Sequence, residues 1–409
     1  LTGWQVYLEP GVSHTVSAKF KNLPRGEALH ILLGKLNFEV SPQTNSVPKL
    51  FVFRTGAENA TRLIRSEKKP LLLGKNKVIL NHLIVTLKPG SSLNIDALAQ
   101  QLGAKVIGKI NGLDSYLLEF PDEASAVAAR SQLSQGDTVA AVDSNYLIDR
   151  PEPNRIAPVE GSTAGLPFTL KADIGAGDGK QIIIGLVDTG VQQLNANMQA
   201  FLLSPLSVVG QTDFSATTPT HGTTMAESML FGLNSTAGQG NTVSVRILPV
   251  DIYGNQTSTS TFDVGNGIIV AANNGANIIS VSSGSGGNSS FLQTITDQVA
   301  QKNIPIFAAA GNQPVTTPTY PAAYPSVIAV TSSQDQSGTI ASYANRGSFV
   351  DIILPGATII TFDQGRYYVN GTSVSTALAS GMLAGLASSA QQSPNKVLPA
   401  FRERTAFRK

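Results

Sequence analysis

Residues 181–188 read QIIIGLVD, a run of apolar residues that does not alternate with polar ones and that ends on an aspartate. Residues 304–311, IPIFAAAG, have the same character further along the chain. Strands of a parallel sheet are buried on both faces, so they favour such unbroken apolar runs. Around these two runs, strand patterns alternate with helix patterns, which is typical of a doubly wound α/β domain. We therefore predict a mostly parallel sheet in a domain at residues 179–409.

Toward the N-terminus, residues 82–149 have a different order of elements. Their patterns predict, in order, a strand, a helix, two strands joined at the turn signal Asn111-Gly112, a second helix and a last strand. The order β-α-β-β-α-β is that of the ferredoxin-like fold. We therefore predict a ferredoxin-like α+β domain at residues 79–150.

The rest of the N-terminal part divides into a linker and a small module. Residues 151–178 are rich in proline and glycine and have little periodicity, which predicts a linker. Residues 1–78 contain strand patterns at 14–20 and 49–56, which predict a small β-rich module. Residues 1–80 carry 12 Lys and Arg against 5 Asp and Glu. Because these charges are dispersed and few aromatic residues accompany them, a solvated face is favoured over a nucleic-acid site.

The composition excludes several kinds of site. The 409 residues include no cysteine, so disulfide bonds, thiolate metal sites and cysteine nucleophiles are excluded. Four histidines are too few for a histidine-rich metal cluster. The sequence has no uninterrupted run of about 18 apolar residues, so no membrane span is predicted. The N-terminal LTGWQVYLEP has neither the basic start nor the apolar stretch of a signal peptide.

Ser373 lies in NGTSVSTALASG, where a glycine-containing turn opens a helix pattern of small residues. A serine hydroxyl is a weak nucleophile until a base takes its proton, and a helix N-terminus favours developing negative charge. An isolated serine at a helix start is more often a simple cap. The histidine census favours the chemical interpretation, because His221 is the only histidine after residue 82. An isolated histidine is itself more often structural, so the two residues support each other only as a pair.

Asp188 and Asn312 follow the two apolar runs directly, at the carboxyl ends of predicted parallel strands, where functional groups gather in α/β sheets. The triplet Asp188-Thr-Gly also occurs in aspartic peptidases, but those need two such loops sharing one proton, and this chain has one. The other chemical role for Asp188 is to orient the ring of His221. Asn312 has the amide donor that stabilises an oxyanion in acyl transfer. For each residue alone, a structural turn is the simpler interpretation.

Four motifs in this order resemble the signature regions of the subtilisin-like serine peptidases, the subtilases. They are VDTG, HGT, AAAGN and NGTSVSTA, and they hold Asp188, His221, Asn312 and Ser373 in turn. The resemblance extends over residues of about 180–390 through VRILPVDIYG, ANIISVSSGSGG and YPAAYPSVIAVTSS.

The resemblance implies a role for each of these residues. Ser373 is the nucleophile, His221 is the general base and then the general acid, and Asp188 orients His221. Asn312 forms the oxyanion hole with the backbone N–H of Ser373. By the same resemblance, two short segments bind substrate, one as a strand that pairs with its backbone and one as a wall of the primary specificity pocket: Ser282, Ser283, Gly284, Ala309, Ala310 and Gly311. Their small size predicts a roomy, uncharged pocket for apolar or large side chains.

Residues 79–150 resemble the pro-region of the same family, which assists folding and occupies the active site until it is cleaved, here within 151–178. Two positions differ from the family pattern: Thr224 stands where a second histidine is usual, and Ala377 where proline is usual. Neither replaces a reacting atom. A shortened stretch after His221 makes a structural calcium ion doubtful, and catalysis requires no cofactor. Residues 393–409 are interpreted as a basic tail.

The sequence thus predicts a secreted serine endopeptidase made as a zymogen that processes itself. Its expected partners are polypeptide substrates and its own pro-region as an intramolecular inhibitor, with no nucleic acid and no membrane span. The competing hypothesis is a catalytically inactive, subtilase-like scaffold or binding protein whose triad residues are present but not assembled for catalysis.

Overall fold

The computed structural model of this chain describes residues 5–9, 23–41, 48–60, 62–64, 72–73, 77–110, 112–151, 157–158, 168–173, 175, 181–210, 212–214, 218–238, 241–335, 338–363 and 365–407. Contacts divide the chain into two units, Leu1–Lys69 and Pro70–Lys409. The predicted strand at 14–20 lies outside the described residues, and so does most of the predicted linker at 151–178.

The first unit contains a four-stranded sheet and a helix. Its elements are β1 (Gln5–Leu8), α1 (Arg25–Leu33), β2 (Asn37–Ser41), β3 (Lys49–Phe53), a 3-10 helix (Ala57–Asn59) and β4 (Arg62–Ile64). The strand order is β2-β3-β1-β4, with β1 and β3 parallel. Leu29 of the helix packs with Leu50 and Val52 of β3, so this unit has a small core of its own. The β3 strand was predicted, whereas the helix α1 was not.

The second unit begins with a four-stranded antiparallel sheet that carries two helices. Its elements are β5 (Leu72–Leu73), β6 (Val78–Leu87), α2 (Ile95–Gln101), β7 (Lys105–Ile110), β8 (Ser115–Glu119), α3 (Glu123–Leu133) and β9 (Val139–Asp149). The strands lie in the order β9-β6-β8-β7, and β5 adds a short pairing to β6. The two helices cover one face through Ala99, Ala126 and Leu133, which pack on Leu83 and Leu118.

The remaining elements form the α/β part of the second unit. The strands are β10 (Ala157–Pro158), β11 (Lys171–Ala172), β12 (Ile182–Asp188), β13 (Leu206–Ser207), β14 (Thr242–Val243), β15 (Val245–Asp251), β16 (Ser258–Ser260), β17 (Ile278–Val281), β18 (Ile306–Ala309), β19 (Val327–Ser333), β20 (Ile352–Pro355), β21 (Ala357–Phe362) and β22 (Gly365–Asn370). The helices are α4 (Ala196–Gln199), α5 (His221–Ala237), α6 (Thr261–Asn273), α7 (Ser290–Gln301), α8 (Thr372–Ala390) and α9 (Pro394–Thr405).

Seven of these strands form the central sheet, in the order β13-β15-β12-β17-β18-β19-β20, and every pair in it is parallel. The fold is therefore the predicted doubly wound α/β arrangement. Chain order reverses beside β12, whose neighbours are β15 and β17. Ligands in such sheets bind beyond the carboxyl ends of the strands at this reversal, and β12 ends on Asp188.

The helices α5 and α8 pack on one face of the sheet, and α6 and α7 pack on the other. The backbones of α5 and α8 approach so closely that a Cβ atom on Gly381 would lie 1.9 Å from the carbonyl oxygen of Met229. A Cβ atom on Gly232 would likewise lie 2.3 Å from the carbonyl oxygen of Leu378. Glycine at these positions therefore sets the spacing of the two helices whose first residues include His221 and Ser373.

The interpretation of residues 393–409 as a basic tail is wrong for most of that segment. Residues Pro394–Thr405 form the helix α9. Phe401 is buried and packs edge to face on Phe307 of β18, with ring centroids 6.0 Å apart. The aromatic side chain anchors the helix to the core of the α/β part.

Candidate active site

Asp188 and His221 form a buried pair at the carboxyl edge of the central sheet. The Nδ1 atom of His221 lies 2.8 Å from Oδ1 and 2.9 Å from Oδ2 of Asp188. A carboxylate only accepts, so Nδ1 carries a proton and donates it to Asp188. Asp188 is fully buried and His221 nearly so. The Nε2 atom of a neutral His221 ring is then free to accept a proton.

A network of side chains holds the start of α5, where His221 is the first residue. Thr220 caps this helix by accepting from the backbone N–H of Thr223 at 3.1 Å. The side chain of Gln192 accepts from the backbone N–H of Thr220 at 2.7 Å. The hydroxyl of Thr189 accepts from the N–H of Gly222 at 2.7 Å. These bonds tie the loop after Asp188 to the helix of His221, so the pair is held from both sides.

Ser373 is the second residue of α8 and is 5% exposed. Gly371, which precedes the helix, has a φ of 149°, a backbone conformation that favours glycine. The hydroxyl of Ser373 donates to the carbonyl oxygen of Ser282 at 3.3 Å. In the described part of the chain, no hydrogen bond joins the hydroxyl of Ser373 to His221. In this state the serine hydroxyl is therefore turned toward the wall of the site.

The side chain of Asn312 is oriented by Thr372, the residue before Ser373. The Oδ1 atom of Asn312 accepts from the backbone N–H and from the hydroxyl of Thr372, both at 2.9 Å. The same hydroxyl accepts from the N–H of Gly311 at 3.1 Å. Because the amide oxygen is occupied by two donors, the Nδ2 group remains available to donate in the cavity that Asn312 and Ser373 both line. An amide donor in an acyl-transfer site can stabilise an oxyanion.

A cavity of about 430 Å³ lies against Ser373 and Asn312. Five of the six predicted substrate-binding residues line it, and Ala310 does not, since it is fully buried behind the wall. The carbonyl oxygen of Ala310 instead accepts from Asn345 at 2.8 Å and from Thr319 at 2.6 Å. Thr319, Asn345 and Gln313 also line the cavity. The part of the wall formed by residues 282–373 is therefore uncharged, and it is more polar than its small residues alone suggested.

The strand β9, the last of the N-terminal antiparallel sheet of the second unit, enters the same cavity. Leu147, Asp149, Arg150 and Pro151 line it together with Ser373. The strand β9 pairs antiparallel with β16, with Asp149 opposite Ser258 and Leu147 opposite Ser260. The backbone N–H of Arg150 continues the pairing to the carbonyl oxygen of Thr257 at 2.9 Å. Residues 147–151 thus lie in the cleft as an extended peptide.

Two further side chains of β9 cap helices of the α/β part. Asn145 accepts through Oδ1 from the hydroxyl of Thr261 at 2.9 Å and from the N–H of Phe262 at 3.2 Å, at the start of α6. Asp143 accepts from the hydroxyl of Ser290 and from the N–H of Phe291 at the start of α7. A carboxylate or amide at a helix N-terminus satisfies N–H groups that have no partner within the helix. The caps therefore bind β9 to both helices.

Glu227 is a fully buried carboxyl group on α5, six residues after His221. It accepts from the backbone N–H of Thr361 at 2.7 Å and from the Thr361 hydroxyl at 3.1 Å. Burial raises the pKa of Glu227 from 4.5 to about 7, although the two hydrogen bonds from Thr361 act in the opposite direction. The side chain thus connects the helix of His221 to β21, which leads through β22 to Ser373.

Neither a metal site nor a membrane span is found in the parts of the chain that the structure describes. No group of three or more His, Asp or Glu residues there could hold a metal ion. No helix among the described residues combines the length and apolar character needed to cross a bilayer.

The sequence analysis missed residues that orient or line the site without reacting. Thr372 was visible beside Ser373 in the motif NGTS, but its partner Asn312 lies 60 residues away. Asn345 and Thr319 had no signal in the sequence, because their role depends on the position of the Ala310 carbonyl. The difference from the family pattern at Thr224 has a local consequence, since its hydroxyl donates to the carbonyl oxygen of His221 at 2.7 Å.

Comparisons with known proteins agree with this geometry. Residues 179–408 match the model of the subtilase family, and residues 72–145 match that of the fervidolysin N-terminal prodomain. Thermitase of Thermoactinomyces vulgaris is 36% identical over 232 residues, which is 54% of this chain and 80% of thermitase. A thermophilic serine proteinase of Bacillus sp. (strain AK1) is 29% identical over 265 residues, which is 61% of this chain and 66% of that protein.

A solved structure has the same fold. The epidermin leader peptide processing serine protease of Staphylococcus aureus superposes with a TM-score of 0.56 and 18% identity. The match covers 79% of this chain and 91% of that one.

Proposed function

This chain belongs to the subtilase family of serine endopeptidases and carries an N-terminal prodomain, and we propose that it cleaves polypeptides through an acyl-enzyme on Ser373. The observation that carries this assignment of roles is the buried pair of Asp188 and His221, with Nδ1 of His221 2.8 Å from the carboxylate. A carboxylate in this position fixes the ring so that Nε2 carries the lone pair and can act as a base.

In the first half of the reaction, Nε2 of His221 takes the hydroxyl proton of Ser373 while Oγ attacks the scissile carbonyl carbon. The carbonyl oxygen becomes an oxyanion, which accepts hydrogen bonds from Nδ2 of Asn312 and from the backbone N–H of Ser373. His221 then gives its proton to the leaving nitrogen as the carbon–nitrogen bond breaks. The product is an ester between Ser373 and the acyl part of the substrate.

In the second half, a water molecule replaces the departed amine. Its oxygen attacks the ester carbon while His221 takes one of its protons. When the bond to Oγ breaks, His221 returns the proton to Ser373 and the carboxylic acid product leaves. Every proton that His221 accepts is thus released within one turnover, and no cofactor takes part.

One movement must precede this chemistry. The hydroxyl of Ser373 donates to the carbonyl oxygen of Ser282, so it has to turn toward His221 before it can lose its proton. Hydrogen bonds of a catalytic serine are often poorly aligned without substrate and tighten in the complex. The position of Oγ is therefore consistent with a resting enzyme.

The ferredoxin-like segment at residues 79–150 acts as the pro-region and inhibitor of the enzyme in this proposal. Support comes from the extended residues 147–151, which lie in the cleft beside Ser373. Processing then occurs within residues 151–178, at one of the first peptide bonds after Pro151. The four segments 1–78, 79–150, 151–178 and 179–409 serve as accessory module, pro-region, linker and catalytic domain.

Substrate preference follows from the wall of the cavity. On the catalytic side its lining includes Gln313, Thr319 and Asn345 as well as the small residues of the two predicted segments. None of these side chains is charged, so the residue before the scissile bond is expected to be uncharged. We expect its protein substrates to be unfolded or extended polypeptides.

Two further parts of the proposal concern location and metal. The family resemblance favours a secreted enzyme, which fractionation of culture medium and cells would test. The triad chemistry of the family needs no metal ion, so catalysis is proposed to be independent of calcium.

The test compares the full chain with Ser373→Ala and with a matched control, Ser380→Ala. Ser380 lies on the same helix, and its hydroxyl donates only to the carbonyl oxygen of Thr376 at 2.9 Å. Wild type and Ser380→Ala should hydrolyse unfolded casein and shorten themselves between residues 151 and 178, whereas Ser373→Ala should do neither. A wild-type chain that remains full length and inactive would support the inactive scaffold instead.

A further inference from the structure

Tyr253 is a fully buried tyrosine between β15 and β16. The chain around it is held firmly. The carboxylate of Asp251 accepts from the backbone N–H of Tyr253 at 2.8 Å and from that of Gly254 at 3.0 Å. The N–H of Ile252 donates to the carbonyl oxygen of Asp188 at 3.0 Å. The ring of Tyr253 is thus positioned by the same strand end that carries the partner of His221.

The hydroxyl of Tyr253 donates to the backbone carbonyl oxygen of Asp149 at 3.2 Å. Asp149 belongs to the extended peptide at residues 147–151, which lies in the cavity beside Ser373. This hydrogen bond is therefore made by a residue of the α/β part to the main chain of the peptide in the cleft. A bond to main chain does not depend on which side chain the peptide carries.

The register of β9 explains why this carbonyl oxygen is available. The N–H of Arg150 bonds to the carbonyl oxygen of Thr257, its direct partner in the antiparallel pair. In such pairs alternate residues direct their N–H and C=O groups away from the neighbouring strand. Asp149, opposite Ser258, is one of these. β16 therefore leaves the carbonyl of Asp149 without a partner, and Tyr253 supplies the donor.

From this arrangement we infer that Tyr253 is a substrate-binding residue, which donates a hydrogen bond to one backbone carbonyl of any extended peptide that follows the path of residues 147–151. The inference rests on the proposed function. The hydroxyl serves peptides that extend at least three residues before the scissile bond, since Asp149 is the third residue before a bond that follows Pro151. Substrates with a single residue before the bond do not reach it.

The hydroxyl keeps its proton and so remains able to donate. Burial raises the pKa of Tyr253, and the carboxylate of Asp188 acts in the same direction, whereas a hydrogen bond with the side chain of Ser283 lowers it. Removal of the hydroxyl leaves the substrate carbonyl buried without a partner. A neutral hydrogen bond of this kind changes affinity roughly fivefold to tenfold.

The experiment measures kcat/KM of the self-processed full chain on two substrates with the same residue before the scissile bond. One is an acylated tetrapeptide anilide, and the other is an ester of the single acylated amino acid. Tyr253→Phe should lower kcat/KM for the tetrapeptide roughly fivefold to tenfold and leave the ester within about twofold of wild type.

Tyr324→Phe is the matched control. Tyr324 is also buried, and its hydroxyl donates to the carbonyl oxygen of Ser289 at 2.9 Å, away from the cleft. It should leave the ratio of the two kcat/KM values unchanged. Equal losses on both substrates with Tyr253→Phe, or no loss on the tetrapeptide, would overturn the inference while leaving the proposed function intact. Wild type inactive on both substrates would overturn the proposed function and the inference together.

A second measurement begins with wild type, so that its first result does not depend on whether the variant folds. In a series of tetrapeptides, one carbonyl at a time is replaced by a methylene group. Wild type should lose affinity roughly fivefold to tenfold at the one position that meets Tyr253. Tyr253→Phe should not distinguish that peptide from its parent, because the two changes remove the same bond. If the losses from the carbonyl replacement and from Tyr253→Phe were independent and additive, the assignment of Tyr253 to that carbonyl would be contradicted.

Discussion

Glu227→Gln should make the catalytic domain more stable at alkaline pH and change little at acidic pH. Glu227 is fully buried, and burial raises its pKa from 4.5 to about 7. The folded state thus holds a proton on this carboxyl group at pH values where the unfolded chain has released it. The stability that this group contributes is fully present below pH 4.5 and is lost as pH rises through about 7.

The size of the effect follows from the shift in pKa. A shift from 4.5 to about 7 corresponds to about 3 kcal/mol of stability that is present at low pH and absent above pH 7. Glutamine keeps the acceptor oxygen for the N–H of Thr361 but never ionises. The substituted protein should therefore escape this loss, and it should gain about 3 kcal/mol over its parent between pH 4.5 and pH 8.5.

The assay is denaturant unfolding at the two pH values in a Ser373→Ala background, which prevents self-digestion. Contributions from all other titrating groups are common to parent and variant and cancel in the difference. Glu403→Gln, at an exposed position on α9, is the matched control. Its difference in stability from the parent should be the same at both pH values. A difference between Glu227→Gln and its parent that is the same at both pH values would refute the reasoning.

Three further predictions concern the oxyanion hole and the pro-region. Asn312→Ala should lower kcat roughly 10²–10³-fold with KM nearly unchanged, because its amide acts on the transition state; an unchanged kcat in steady-state assays would contradict its role. Asn145→Ala should weaken inhibition by the cleaved pro-region roughly fivefold, measured as activity gained on dilution, since it removes a cap on α6 worth about 1 kcal/mol. Asn94→Ala removes a cap within the pro-region itself and should lower only its thermal midpoint. Acidification below pH 6.5 should weaken inhibition by the pro-region. Burial lowers the pKa of His82, and its neutral ring, with Nδ1 3.3 Å from Nδ2 of Asn145, is lost as pH falls. His82→Gln should abolish this pH dependence of inhibition.

Much of the α/β part could be predicted from local patterns. The apolar runs that became β12 and β18 lack alternation, and strands buried on both faces favour that pattern. Asp188 and Asn312 were found because they directly follow these runs. Ser373 was found because a glycine-containing turn opens its helix pattern, and His221 because it is the only histidine after residue 82.

The helices α1 and α9 were missed for a shared reason. Each begins at a proline, Pro24 as the residue before α1 and Pro394 as the first residue of α9. Proline was interpreted as a mark of loops, yet it is also favoured in the first turn of a helix, where no N–H donor is needed. Pro399 inside α9 made a helix still less expected from sequence. The burial of Phe401 offsets that cost through a tertiary contact.

The parts of the site that could not be predicted depend on distant contacts. Thr372 orients Asn312 across 60 residues, and Tyr253 meets Asp149 across 104. Neither partner is visible in a local pattern, because each bond requires the central sheet to be assembled first. The turn of the Ser373 hydroxyl toward Ser282 is likewise a property of packing around the helix start.

The most direct test of the central claim is the intact mass of the chain after treatment with a fluorophosphonate, which labels an activated serine. We expect one adduct on the self-processed wild type, located at Ser373 by peptide mapping, and none on Ser373→Ala. Such an adduct requires Asp188, His221 and the oxyanion hole to act together on one hydroxyl. A wild-type chain that takes up no adduct, both at full length and after proteolytic removal of residues 1–150, would contradict the account.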